Sequence, residues 1–251
     1  MSEPAEDERA RLDRAVKAQD GFFTTFFVSP YSKYIARWCA RRGLTPNQVT
    51  VASLLLGVAA AGAFARGTRP ALVAGAVLVQ AAFTADCVDG QLARYTQTFS
   101  PLGAWMDAVF DRAKEYLMYA GLAVGTIAAG AEPQMIWLLA TTAMLVQTAR
   151  HAADFSFAAQ QHTPAAIAED DVAPRPLGAA ADAARRVSRA SEHGPAVWLK
   201  RMIILPIGER FALISVTAAL FDGRVTFVAL LAWAAVAVVY ASAGRVLRSV
   251  A

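Results

Sequence analysis

Four aspartates, Asp86, Asp89, Asp107 and Asp111, fall within stretches that otherwise read as membrane-spanning helix. A carboxylate in hydrocarbon costs several kcal/mol or more, so a chain keeps one there only when it is paired, metal-bound or functional. Asp86 and Asp89 stand three residues apart, and Asp107 and Asp111 four apart, which puts each pair on one helical face. If the two segments are adjacent antiparallel helices, all four carboxylates converge on one small volume. Anions so close repel unless divalent cations sit between them. Oxygen-only ligands suit Mg²⁺, Mn²⁺ or Ca²⁺ rather than zinc.

The rest of the chain agrees with a membrane setting. Of its 251 residues 56% are hydrophobic and only 18% charged, too apolar for an ordinary soluble domain. Cys39 and Cys87 give no disulfide framework, and Cys87 reads as a small buried side chain. The net charge of +4 does not point to nucleic acid, because the basic residues cluster beside the apolar segments. The predicted fold is all-α and integral to the membrane, with six spans at about 49–66, 70–94, 103–130, 134–158, 202–221 and 225–243.

Residues 1–28 form a charged N-terminal segment, with a helix expected from Glu6 to Gln19 and no apolar core of the kind a cleavable signal carries. Residues 29–43 predict an amphipathic interfacial helix: Tyr31, Tyr34, Ile35 and Trp38 share one face, while Lys33, Arg37 and Arg41 turn towards anionic lipid. Gly43 ends it, and Thr45-Pro46-Asn47 leads into the first span. A cytoplasmic linker is expected over 159–199, with His162 and His193 given no role.

Lysines and arginines before the first span, between the fourth and fifth, and after the sixth place these segments and both termini in the cytoplasm. Arg66 and Arg69, in an outer turn, count mildly against this. In a bacterium the membrane would be the plasma membrane.

The string Asp-x2-Asp-Gly-x2-Ala-Arg-x8-Gly-x3-Asp-x3-Asp resembles the signature of the CDP-alcohol phosphotransferases (CDP-alcohol phosphatidyltransferases). All eight positions match, at Asp86, Asp89, Gly90, Ala93, Arg94, Gly103, Asp107 and Asp111. The resemblance implies transfer of the phospho-alcohol moiety of a CDP-alcohol to an acceptor alcohol with release of CMP. The donor would be CDP-diacylglycerol or a CDP-polyol. The acceptor would be a polyol phosphate such as inositol phosphate or glycerol phosphate.

It further implies two Mg²⁺ or Mn²⁺ ions among Asp86, Asp89, Asp107 and Asp111, with Asp111 as the base that takes the acceptor proton. The nucleotide would lie against Gly90, Ala93, Arg94 and Gly103, with Thr45, Pro46 and Asn47 nearby. Arg150, Arg210 and Lys200 are candidates for the acceptor's phosphate. The stretch Lys17-Ala18-Gln19-Asp20-Gly21-Phe22-Phe23 resembles the di-myo-inositol-phosphate-phosphate synthase branch, whose members often follow a cytidylyltransferase domain. A homodimer is also implied, and Gly121, Ala123 and Gly125 would permit close helix approach. A membrane transporter with a carboxylate-lined cation site is the alternative. It fits less well, because the aspartates lie near one interface and no inverted repeat is visible.

Overall fold

A computed structural model describes residues 5–17, 20–162 and 195–250, and these contain helices and turns with no strand among them. The helices are α1 (Ala5–Ala15), α2 (Ser29–Arg41), α3 (Pro46–Phe64), α4 (Arg69–Thr96), α5 (Pro101–Ala128), α6 (Pro133–His162), α7 (Pro195–Ile203), α8 (Ile207–Leu220) and α9 (Gly223–Val250). A short π-helical turn, Thr24–Val28, runs directly into α2.

The starts of the long helices follow from local chemistry. Thr45 caps α3 through a capping box: its hydroxyl accepts from Gln48 N at 3.3 Å, and Gln48 Oε1 accepts from Thr45 N at 2.9 Å. Ser100 caps α5 by accepting from Gly103 N at 2.9 Å. Pro46 and Pro101 each occupy a first helical position, where the missing N–H costs nothing. Gln97 ends α4 in the left-handed region, at φ 55°, and α4 and α5 then both pack on α3.

Packing closes the long helices into a ring. α3 lies against α4, α4 against α8, α8 against α9, α9 against α6, α6 against α5, and α5 against α3. Phe64, Phe83, Met118, Tyr119, Leu122, Ile136, Phe211 and Phe227 fill the interior. Leu55, Val77, Leu138, Leu145 and Val239 remain exposed on the outer faces.

Among the described residues three helices are long and apolar enough to cross a membrane: Pro46–Phe64, Arg69–Thr96 and the Gly223–Ala243 part of α9. The pair Val197–Ile203 and Ile207–Leu220 makes a fourth if it counts as one span, bent by 67°. α5 carries Asp107, Asp111, Arg112, Lys114 and Glu115, and α6 interrupts its apolar run with Gln134, Gln147 and Arg150. The fifth expected span, a single helix over 202–221, is therefore two pieces. Pro206 has no N–H to continue the helical ladder, and Leu205 before it adopts φ 54°.

The α2 helix exposes Tyr31, Tyr34, Ile35 and Trp38 and buries Ser32, Ala36 and Cys39. Lys33 and Arg37 are partly covered rather than turned outward as the sequence suggested, while Arg41 stays exposed. Lys33 pairs with Asp13 at 2.5 Å, and Arg37 and Arg41 pair with Glu8 at 2.7 and 3.3 Å, because α1 lies across that face. Lys33 beside Asp13 holds this exposed carboxyl below its ordinary range.

The small residues of α5 are also accounted for inside the protomer. A Cβ on Gly121 would strike the carbonyl of Ala61, and one on Gly125 the carbonyl of Phe64, so both glycines let α3 approach. Ala123 is fully buried. These three residues cannot form the helix–helix contact between protomers that the sequence suggested for them. The expected linker lies mostly in residues 163–194, outside the described residues.

Candidate active site

The C-terminal half of α4 and the N-terminal half of α5 both pack on α3 and line one cavity. One carboxylate oxygen from each of Asp86, Asp89 and Asp107 then lies within 4.8 Å of the others. Asp89 is buried, and its Oδ2 has no hydrogen-bond partner among the described residues. An orphaned carboxylate oxygen between two further carboxylates is an acceptor that a hard cation would satisfy. The donor set therefore fits Mg²⁺ or Mn²⁺.

Asp111 joins this group through a residue that the sequence reading passed over. Lys114, one turn further along α5, is fully buried. Its ammonium pairs with Asp111 Oδ1 at 2.9 Å, pairs with Asp86, and donates to Ser53 Oγ at 2.7 Å. Ser53 in turn donates to the Ala82 carbonyl at 2.9 Å. An interior lysine at helical spacing from Asp111 is visible in the sequence. Only the fold reveals that α3 supplies its third partner.

The four aspartates open into a cavity of about 630 Å³, within the range that holds a small-molecule ligand. All eight signature residues line it, together with Pro46, Asn47, Thr50, Phe99 and Ser100. A Cβ on Gly90 would meet nothing closer than the Arg94 guanidinium at 3.5 Å, so internal packing does not demand glycine there. Gly103 has an internal reason: a Cβ would come within 2.8 Å of Asn47 Oδ1 and 3.0 Å of Ser100 Oγ. Thr45 is absent from the lining, and its side chain is occupied as a helix cap. Arg94 donates through Nε to the Ala15 carbonyl at 2.5 Å, so α1 is fastened to the rim of the cavity. Lys17, Asp20 and Thr24 line the cavity too.

Arg150, Arg210 and Lys200 do not line it. Arg210 is buried and pairs with Glu115, its Nε 3.0 Å from Oε1, while also donating to the Leu205 carbonyl at 3.2 Å. Its charge is thus balanced within the protein, which weakens burial as an argument for a bound phosphate at that residue. Arg150 hydrogen-bonds Gln147 Oε1 at 3.1 Å and the Ile204 carbonyl. Arg112 adds a further cation, pairing with Glu115 at 3.2 Å and contacting His151, which lies 3.5 Å from Arg210. Lys200 stands in the last turn of α7.

Among the described residues an all-helical fold, with several helices apolar enough for a membrane, carries a carboxylate cluster on the wall of a cavity of small-molecule size. Residues 43–241 match the family CDP-alcohol phosphatidyltransferase, and the chain belongs to that family. It is 34% identical over 128 residues to a protein of Thermococcus kodakarensis named bifunctional IPC transferase and DIPP synthase, a match covering 49% of this chain and 28% of that one. A protein of the same name from Rubrobacter xylanophilus is 43% identical over 82 residues, 33% of this chain and 18% of that one. The archaetidylinositol phosphate synthase of Aeropyrum pernix is 30% identical over 122 residues, covering 49% of this chain and 59% of its own. The chain thus matches under two thirds of the length of each of these relatives. They agree with the branch that the Lys17–Phe23 stretch suggested.

Proposed function

We propose that the chain transfers a phospho-alcohol from a CDP-alcohol to the hydroxyl of a polyol phosphate, with inositol phosphate as the leading acceptor, and releases CMP. The observation that carries this reading is that the eight signature residues line one cavity around the carboxylate cluster. A divalent ion pair held by Asp86, Asp89 and Asp107, with Asp111 at its edge, would offset the charge of the diphosphate. Asp111 takes the proton of the acceptor hydroxyl. The new O–P bond forms at the phosphorus nearest the alcohol, and the bond to CMP breaks. Gly90 leaves the α4 backbone open to the nucleotide, and Arg94 pairs with a phosphate oxygen once it turns from the Ala15 carbonyl.

In the same reading α3 to α9 supply six spans, α7 and α8 together forming one. α2 lies at the interface, and the cavity and both termini face the cytoplasm. The phosphate of the acceptor is assigned to the cationic group around His151, with Arg150, Arg210 and Lys200 as its ligands. The relatives' names support an inositol phosphate acceptor, and the family resemblance supports a homodimer.

The test is a panel assay in nanodiscs, with CDP-diacylglycerol and CDP-polyols as donors and inositol phosphate and glycerol phosphate as acceptors. CMP release that needs Mg²⁺ or Mn²⁺ and both substrates is the expected result. Cation uptake into proteoliposomes without CMP release would replace this reading with the transporter.

A further inference from the structure

We propose that Lys114 is a fixed counter-cation that limits the substrate-free protein to one resident divalent ion. The inference rests on the metal-dependent reading above and departs from the two ions that the sequence resemblance implies. A lysine ammonium has three N–H donors and no acceptor. Lys114 donates to Ser53 Oγ at 2.7 Å and to Asp86 Oδ1, and its Nζ stands 2.9 Å from Asp111 Oδ1 as an ion pair. A buried ammonium paired in this way is a built site, because an unpaired charge there would be costly.

The neighbouring helix is shaped around it. A Cβ at Gly57 of α3 would come within 2.7 Å of Lys114 Cγ, so glycine leaves room for the lysine stem. Ser53, one turn before Gly57, accepts from the ammonium and donates a hydrogen bond to the Ala82 carbonyl.

The carboxylates consequently divide. Asp86, Asp89 and Asp107 form the compact group whose oxygens lie within 4.8 Å of one another. Asp86 and Asp111 are bridged by Lys114 instead, so a second divalent ion held by these two carboxylates would lie against its ammonium. An ammonium and a divalent ion cannot share that position, because Coulomb repulsion between them is strong in a low-dielectric site. The first ion therefore binds the three-carboxylate group. A second enters only when further negative charge, such as a diphosphate, outweighs the ammonium. Lys114 acts through Asp86 and Asp111 and is a positioning residue.

The experiment titrates Mn²⁺ into the purified full chain in nanodiscs without nucleotide and counts bound ions by the loss of the free-ion magnetic resonance signal. One ion per chain is expected. Lys114→Met, which keeps the stem and removes the charge, should bind two. Asp111→Asn should still bind one, with affinity within about threefold of the unaltered chain, since Asp111 holds the lysine rather than the first ion. Two ions on the unaltered chain, or an unchanged count of one on a folded Lys114→Met, would overturn the proposal. So would a tenfold or greater loss of affinity in Asp111→Asn, a result that stays informative if Lys114→Met fails to fold. CMP release assayed in parallel separates the two readings: two ions with CMP release removes only the role of Lys114, whereas no ion and no CMP release removes both.

Discussion

Asp111 carries two tasks in the proposed reaction, because the oxygen that faces Lys114 belongs to the group that would accept the proton. Asp111→Asn keeps size and shape but loses basicity, so turnover should fall by ~10² or more, measured as initial CMP release at saturating substrates. Thr45 offers the opposite contrast. Its hydroxyl caps α3 and does not line the cavity, so Thr45→Ala should lower stability by about 1 kcal/mol in thermal melts, with KM for the CDP-alcohol unchanged. At this scale the signature residues were legible because fixed spacings over two helices leave a pattern. Lys114 was not, because its meaning depends on Ser53 and Gly57, more than fifty residues earlier in the chain. Arg210 was legible as a costly buried charge, but its partner Glu115 was hidden by a separation of 95 residues.

Among the helices, the bend between α7 and α8 is where tertiary structure overrode hydropathy. Breaking a helix inside a membrane strands carbonyls that water cannot reach. Here Arg150 donates to Ile204 O, Arg210 to Leu205 O at 3.2 Å, and Trp233 Nε1 to Met202 O at 3.2 Å. Pro206 was the sequence signal for this break, and an apolar run on both sides concealed it. The arginines assigned to the acceptor's phosphate thus also hold the bend. Arg150→Ala should raise KM for the polyol phosphate far more than KM for the CDP-alcohol, and should lower the melting temperature as well. Arg150→Lys should recover only part of either effect, since an ammonium lacks the planar fork. Equal changes in the two KM values would remove Arg150 from the acceptor pocket.

The segment from Asp20 to Val28 is held in a similar way. Glu209 accepts from Phe23 N at 3.2 Å, and Arg201 donates to the Asp20 carbonyl at 3.1 Å. Because Lys17 and Asp20 line the cavity, loosening this anchor should reach the nucleotide site. Glu209→Ala is expected to raise KM for the CDP-alcohol several-fold and to speed protease cleavage near Phe22–Phe27.

For the whole molecule, helix content and order were readable from apolar runs separated by turns containing Gly, Pro and Asp. The closed ring was not readable, since periodicity says which face is apolar and not which neighbour covers it. Gly121 shows the difference. The sequence offered it to a partner protomer, and the structure spends it on α3. Gly121→Leu should therefore lower the melting temperature while leaving the particle mass that of a dimer, as read by mass measurement in nanodiscs. A monomer for the unaltered chain would remove the homodimer from the proposal.

The turn at Gln97 has a consequence for how such a chain is made. Every carboxylate of the cluster comes from two consecutive helices, so the site needs no late-arriving segment to supply its ligands. Lys114 lies on the same helix as Asp107 and Asp111, and its acceptor Ser53 is on α3, which leaves the ribosome earlier. As one of the proposed spans, α5 would thus bring its own neutralising charge into the bilayer. The acidic segment would then need no ion or nucleotide to be inserted during synthesis.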